Sequence, residues 1–169
     1  AFSYYYDSQV KTDRIYKRVD GERKLWDVVF MICLTYHWYY DVNPILQVCI
    51  TDLPCEPQPN TIIIKCKDQE EIIKAWAYIN SCDKMNPDYF TGFNDAHYDT
   101  PFIINRAQAF GIYDYIADQF SCIPYTESNA QWTIKGLVRE QVKISSEVIV
   151  RDVMIFRCPG YIPFDTQIS

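Results

Sequence analysis

The chain reads as a mixed α/β domain, and three observations predict this. Three short segments rich in β-branched residues come first: DVVFMICL, ILQVCIT and TIIIKC. Such residues suit a pleated, half-buried surface and favour strands. Two helix-period stretches follow, near Ile72–Ile79 and Phe102–Phe110, with a strand-like DYFTGF between them. Strand, helix, strand, helix is the succession that builds α/β crossovers.

At 169 residues the chain can form one domain with a sizeable core. Hydrophobic residues make up 49% and charged residues 22%, a globular balance. The net charge is −6 and the sequence pI about 4.8. That weighs against a module gripping duplex nucleic acid through a broad basic face. It leaves room for an enzyme whose acidic cleft handles nucleic acid through metal ions. The seven cysteines show no C-x-x-C spacing, and an odd number cannot all pair. Several lie in apolar runs such as FMICL and LQVCI, so they read as reduced, mostly buried thiols in a cytosol-like compartment. His37 and His97 are too few to complete a structural zinc site. No signal peptide is visible, and no apolar run approaches the ~18 residues of a membrane span. The chain starts with Ala and stops at Ser169 soon after a strand-like segment, so a piece of a longer protein is expected.

In order, residues 1–26 are tyrosine-rich and then charged. The turn signal Asp20-Gly21 makes this stretch a loose hairpin or an inserted loop. Asp27–Trp38 is apolar on both faces, which predicts a central strand. Asn43-Pro44 turns the chain into a second strand, Ile45–Thr51. Leu53–Asn60, with Pro54, Pro57 and Pro59, is a loop, and Thr61–Cys66 is the third strand. Asp68 and Glu71 have capping-box-like spacing and open a helix running to about Cys82. Its apolar face is Ile72, Ile73, Trp76 and Ile79. Asn86-Pro87 precedes a fourth strand, Asp88–Phe93. The next helix begins at Pro101, with Thr100 as its cap and Gly111 as its stop. A further short helix covers Ile112–Phe120. After a polar connection, Cys122–Gly136, the alternation at Val142–Ile149 and Val153–Arg157 predicts strands. Pro159-Gly160 leads into a last strand, YIPFD, ending at Asp165.

The chemistry concentrates in Asp88–Arg106, a strand, a polar break and a helix start, where α/β folds place active residues. Asp99 has two readings. It caps the helix, or, with Pro101 at the first helical position and Thr100 capping, it is free just outside. A free carboxylate beside a helix N-terminus is held ionised and suits a cation. Asn94 reads as a turn residue or a ligand. Asp95 and His97 point into the same loop; His97 reads as solvent-facing, with general base as the sharper alternative.

Thr91–Ala107, TGFNDAHYDTPFIINRA, resembles the second exonuclease motif of family B DNA polymerases. That motif has a T-G-aromatic-N core, then an Asp directly after an aromatic, then an apolar helix. Here these are Thr91, Gly92, Phe93 and Asn94, then Tyr98 and Asp99. DVVFMICL, the CIT…PC segment from Cys49 to Cys55, VKISSE and PGYIPFD are similar, in order and spacing, to polymerases of large DNA viruses of the asfarvirus type. The resemblance covers roughly Asp27 to Ser169. It implies a ribonuclease-H-like mixed sheet flanked by helices, present as an incomplete domain, with residues 1–26 a divergent or inserted segment. It implies a proofreading 3′→5′ exonuclease acting by two-metal hydrolysis with Mg²⁺ or Mn²⁺. The implied partners are the single-stranded 3′ end of DNA and the remainder of a polymerase chain, in host cytoplasm or nucleus. By the match, Asp99 is the catalytic metal ligand, and Phe93 and Asn94 contact the frayed strand. Tyr98 adjoins the ligand. Asp165 stands where the family also shows Asp; it is structural first, with lining the cleft as a second role.

The sequence also departs from the pattern. The family's first motif, Asp-x-Glu, is missing before the Asp27 strand. FSYYYDS aligns only as a degenerate copy, with Ser3 and Tyr5 where the acids belong; the expectation is that the acids lie upstream of Ala1. The third motif, Tyr-x-x-x-Asp, falls beyond Ser169. One of the usual four metal carboxylates is therefore present, and no exonuclease activity is expected of this piece. The alternative is a degenerate, endogenised copy with a structural or nucleic-acid-binding role. An unrelated ribonuclease-H-like domain would need Asp41, Asp52 or Asp118, which sit in predicted loops or on helix surfaces.

Overall fold

The computed structural model describes residues 16–19, 22–25, 28–81, 83–93, 95–96, 98–122, 136–143, 150–160 and 162–166. Nine strands and three helices appear among them, in mixed α/β order. β1 (Tyr16–Val19) and β2 (Glu22–Leu25) pair antiparallel, with Val19 opposite Glu22. The described part of the N-terminal segment is thus a hairpin, and the rest of residues 1–26 lies outside the described residues.

β3 (Met31–His37), β4 (Pro44–Thr51) and β5 (Thr61–Lys65) make a three-stranded sheet in that order. β3 runs antiparallel to β4, and β5 runs parallel to it. The expectation that Asp27–Trp38 is central needs correction: among the described residues β4 is the central strand. β3 alternates, with Ile32 and Tyr36 buried while Cys33, Thr35 and His37 are exposed. The continuous buried run belongs instead to Val48–Thr51 at the end of β4. β4 has a hydrogen-bonded neighbour on each edge, and a strand so placed is the one that carries such a run.

α1 (Gln69–Ile79) starts as its sequence predicts. The Asp68 carboxylate accepts the Glu71 N–H at 3.0 Å, and Glu71 reaches back to the Lys67 N–H at 2.7 Å. The reciprocal arm of the capping box thus lands one residue earlier than usual. The helix ends at Asn80, short of the predicted Cys82, because Asn80 is drawn into side-chain bonds. Its Nδ2 donates to the Trp76 carbonyl at 2.8 Å, and its Oδ1 accepts the buried Tyr36 hydroxyl at 2.7 Å. That pair ties β3 to the C-terminus of α1.

β6 (Phe90–Gly92) follows, then α2 (Asp99–Ala109) and α3 (Tyr113–Phe120). Gly111 separates the helices at φ +69°, a conformation glycine adopts without penalty. β7 (Gly136–Lys143) and β8 (Val150–Arg157) form an antiparallel ribbon. β7 starts six residues before the predicted Val142, at the last residue of the stretch read as polar connection, and positions 144–149 of the predicted strand lie outside the described residues. A two-stranded ribbon is closed by backbone bonds, so Arg139 and Glu140 can sit within it without interrupting the ladder. β9 (Pro163–Asp165) pairs parallel with β6, opposing Phe90 to Pro163 and Gly92 to Asp165.

The core lies where α1 packs on β3 and β4 and where α2 and α3 close against it. Ile32, Val48 and Ile50 from the sheet meet Ile72, Ile73, Trp76 and Ala77 from α1, with Ile103, Ile104, Ile116 and Phe120 from the later helices. The Trp76 and Phe120 rings lie 4.7 Å apart and tilted, and Phe90 meets Phe120 edge-on at 5.5 Å. Offset and edge-on contacts of this kind suit the ring quadrupoles. Through Phe90, β6 is anchored to the core directly beneath the loop that carries the site. No helix among the described residues is long and apolar enough to cross a membrane.

Candidate functional site

β6 delivers the chain to the site, and β9 supplies a second strand end beside it. The Phe90 N–H donates to the Ile162 carbonyl and the Thr166 N–H to the Gly92 carbonyl, both at 2.9 Å. These bonds fix the ends of the two parallel strands in register. Gly92 is required there by a close approach: a Cβ at that position would stand 2.6 Å from the Asp95 Cβ.

The helix start differs from the sequence prediction. α2 begins at Asp99, with Tyr98 in the cap position making no side-chain cap bond, and Pro101 is its third residue. Proline is tolerated there because the first four N–H groups of a helix lack intrahelical acceptors. The capping acceptor is Asp95. Its carboxylate takes the Thr100 N–H at 3.2 Å and the Thr100 hydroxyl at 2.8 Å. Thr100 is therefore capped and does not itself cap. Asp95 is the functional-looking residue that sequence reading passed over. Asp95 and Thr100, each able to bond the other across a short polar break, were the available signal.

Asp165, on the end of β9, accepts the Ala96 N–H at 3.0 Å. Two carboxylates thus brace the loop from opposite sides, Asp165 from the strand pair and Asp95 from within. Asp99 projects from the first turn of α2, half-buried. No hydrogen bond from the described residues reaches its side chain.

The electrostatics join the three. Burial raises the Asp99 carboxyl above the ordinary range, and the charges of Asp95 and then Asp165 push it further. Burial also raises Asp95; its two bonds from Thr100 work against that shift, and Asp165 adds to it. The expectation that the helix N-terminus simply holds Asp99 ionised therefore needs correction: desolvation and two like charges outweigh it.

The remaining candidates fall as follows. Phe93 stands at the mouth of the loop, 74% exposed. Tyr98 is half-buried, and its N–H donates to the Asp95 carbonyl at 3.3 Å. Asn94 and His97 lie outside the described residues. Asp41 and Asp118 are exposed and far along the chain from this loop. Of the cysteines, Cys33, Cys55 and Cys122 are exposed and Cys49, Cys66 and Cys158 buried, so half of those described depart from the buried expectation.

A half-buried carboxylate with no donor among the described residues, pressed by two like charges, is one that a cation would relieve. Asp99 fits as one anionic metal ligand. Asp95 and Asp165 fit less well, since Thr100 occupies both oxygens of the first and Ala96 one oxygen of the second. Among the described residues no group of three or more His, Cys, Asp or Glu side chains is arranged to hold a metal ion. The donors present fall short of a two-metal cage.

A strand end, a polar loop and an acid at the start of a helix make up the candidate site. The family model for the DNA polymerase family B exonuclease domain matches residues 10–156, and the chain belongs to that family. It is 30% identical over 141 residues to DNA polymerase beta of African swine fever virus, covering 83% of this chain and 11% of that protein. It is 32% identical over 82 residues to the DNA polymerase delta catalytic subunit of Mesocricetus auratus, and 30% identical over 82 residues to that of Bos taurus. Those two matches cover 48% of this chain and 7% of each polymerase. The chain thus spans about a tenth of the viral relative it matches.

Proposed function

We propose that this chain is the front portion of a 3′→5′ proofreading exonuclease domain within a viral-type replicative DNA polymerase. Its complete domain would have a ribonuclease-H-like sheet, spanning residues 27–169 here and continuing outside them, with residues 1–26 a divergent or inserted segment. One observation supports this best. The T-G-F-N…Y-D motif runs from a strand to a helix start, and Asp99 is half-buried there with no hydrogen bond from the described residues.

In the intact domain Asp99 would hold one of two divalent cations, Mg²⁺ or Mn²⁺, which when bound supply a hydroxide and offset charge at the phosphorus. The residues of this chain do the positioning. Asp95 and Asp165 fix the loop. Phe93 offers an exposed face on which a terminal base can stack without regard to sequence, as removal of any mispaired nucleotide requires. Asn94 is placed beside it by the motif.

Two cations about 3.5–4 Å apart need several carboxylates to offset their repulsion. With Asp99 the one matched ligand, the chain alone is inactive. The test is incubation of a 5′-labelled single-stranded oligonucleotide with the purified chain and Mg²⁺ or Mn²⁺. The expected result is an intact oligonucleotide. Robust 3′→5′ shortening that Asp99→Ala abolishes would overturn the ligand count.

The second reading, a degenerate copy kept for a structural or nucleic-acid-binding role, is favoured by Ser3 and Tyr5 at the aligned acid positions. The gene sequence upstream of Ala1 separates the two. An encoded Asp-x-Glu supports the nuclease, and a start codon without acids supports the copy.

A further inference from the structure

Three thiols meet on the outer face of the β3-β4-β5 sheet, away from the loop of the candidate site. The strand register places Cys33 of β3 directly opposite Cys49 of β4. Directly opposed residues of an antiparallel pair point to the same face, with Cα atoms about 4.5–5.5 Å apart. That lies inside the roughly 4.4–6.8 Å range a disulfide spans. Cys33 is on the exposed face of β3, between the inward-facing Ile32 and Leu34. Cys49 shares that face yet is buried, so something covers it. Cys55, in the proline-rich loop after β4, is exposed, and its Sγ donates to the Glu56 carbonyl at 3.5 Å. Its thiol is near enough to Cys49 for each to influence the other's ionisation, and Cys33 acts on Cys49 in the same way. One buried sulfur therefore sits between two exposed ones.

We propose that Cys33, Cys49 and Cys55 form an oxidation-sensitive thiol relay in which the buried Cys49 is the common disulfide partner of either exposed cysteine. The oxidant is a hydroperoxide. Its O–O bond breaks as the exposed sulfur, ionised at the moment of attack, takes one oxygen to become a sulfenic acid and hydroxide leaves. The Cys49 sulfur then attacks that sulfur, forming the S–S bond and expelling the second hydroxide. The two thiol protons combine with the two hydroxides. Overall, two thiols and one hydrogen peroxide become one disulfide and two waters; the sulfurs lose two electrons and the peroxide gains them. A bond to Cys33 staples β3 to β4. A bond to Cys55 staples the proline-rich loop to the sheet.

Burial holds the Cys49 and Cys55 thiols above the ordinary range, so neither is a ready thiolate. Selectivity comes from proximity: Cys66 and Cys158 are buried elsewhere, and Cys122 is paired across to Asn86 at 3.8 Å.

The test treats the folded 169-residue chain with hydrogen peroxide, alkylates the remaining thiols and maps linked peptides. Cleavage before Asp41 and Asp52 puts Cys33, Cys49 and Cys55 on separate peptides. The expected outcome is loss of two of the seven thiols, with Cys49 in the linked pair every time. The Cys33→Ser/Cys55→Ser double variant, altered only at exposed positions, keeps all five of its thiols under the same treatment. All seven thiols remaining alkylable in the parent chain would overturn the proposal. So would links that omit Cys49, or links that form equally fast in urea-unfolded chain.

Discussion

Asp95 accepts two hydrogen bonds from one residue, the Thr100 N–H at 3.2 Å and the Thr100 hydroxyl at 2.8 Å. The pair spans the polar break and closes the first turn of α2. Removing an N-terminal capping acceptor costs about 0.5–2 kcal/mol. Asp95→Ala is therefore expected to lower stability by ~1 kcal/mol in urea unfolding. Asp95→Asn, which keeps an acceptor oxygen, is expected to lose less.

Gly92 and Asp95 are coupled by space. A Cβ on Gly92 would meet the Asp95 Cβ at 2.6 Å and its Cγ at 3.2 Å, so the side chain must shift. Overpacking of this kind costs roughly 1–3 kcal/mol. Gly92→Ala should destabilise by that order in the parent chain and by clearly less in an Asp95→Gly background. Equal costs in both backgrounds would show that the two positions do not touch in solution.

The raised carboxyls of Asp95 and Asp99 set a direction for pH dependence. Both folded-state values lie above the unfolded carboxylate value of about 3.9. The folded chain therefore binds these protons more tightly than the unfolded one. Their contribution to stability is fully present below the unfolded value and is lost as pH rises through the folded values. Asp99→Asn removes one such group without removing any hydrogen bond made by the described residues. It is expected to leave stability at pH 7 unchanged or slightly higher and to flatten the decline between about pH 4 and neutrality. A variant clearly less stable than the parent at pH 7 would mean that the Asp99 carboxylate is structural.

Tyr36→Phe tests the tie between β3 and α1. The hydroxyl donates to Asn80 Oδ1 in a buried setting, and its removal strands that acceptor. The expected loss is about 1–3 kcal/mol, read as a lower urea midpoint at unchanged slope.

Much of this fold was legible because local chemistry and tertiary packing agree. Thr61–Ile64 is β-branched throughout and lies beside a central strand, and Asp68 with Glu71 announces α1 by its capping bonds. Legibility failed where a distant partner decides. Asn80 ends α1 through Tyr36, 44 residues away. β7 is held by its ladder to β8 and not by an apolar pattern of its own. In the site, the motif marked the strand, the loop and the helix start that bear Phe93 and Asp99, but the proline argument failed: Asp99 is the first residue of the helix and Pro101 the third. Asp95 was missed because its role depends on how the loop folds back on Thr100. The reach of Asp165 was undervalued because the parallel pairing of β9 with β6 cannot be read from PGYIPFD alone.

That pairing orders events during synthesis. Gly92 lies opposite Asp165, and Ala96 donates to it from 69 positions earlier in the chain. α1 and the three-stranded sheet lie wholly before this contact in the chain. The loop bearing Asp99 cannot receive its second brace until Asp165 has been translated. A growing chain stopped before that point would lack that brace, so the site is among the last parts of this chain able to take its final shape.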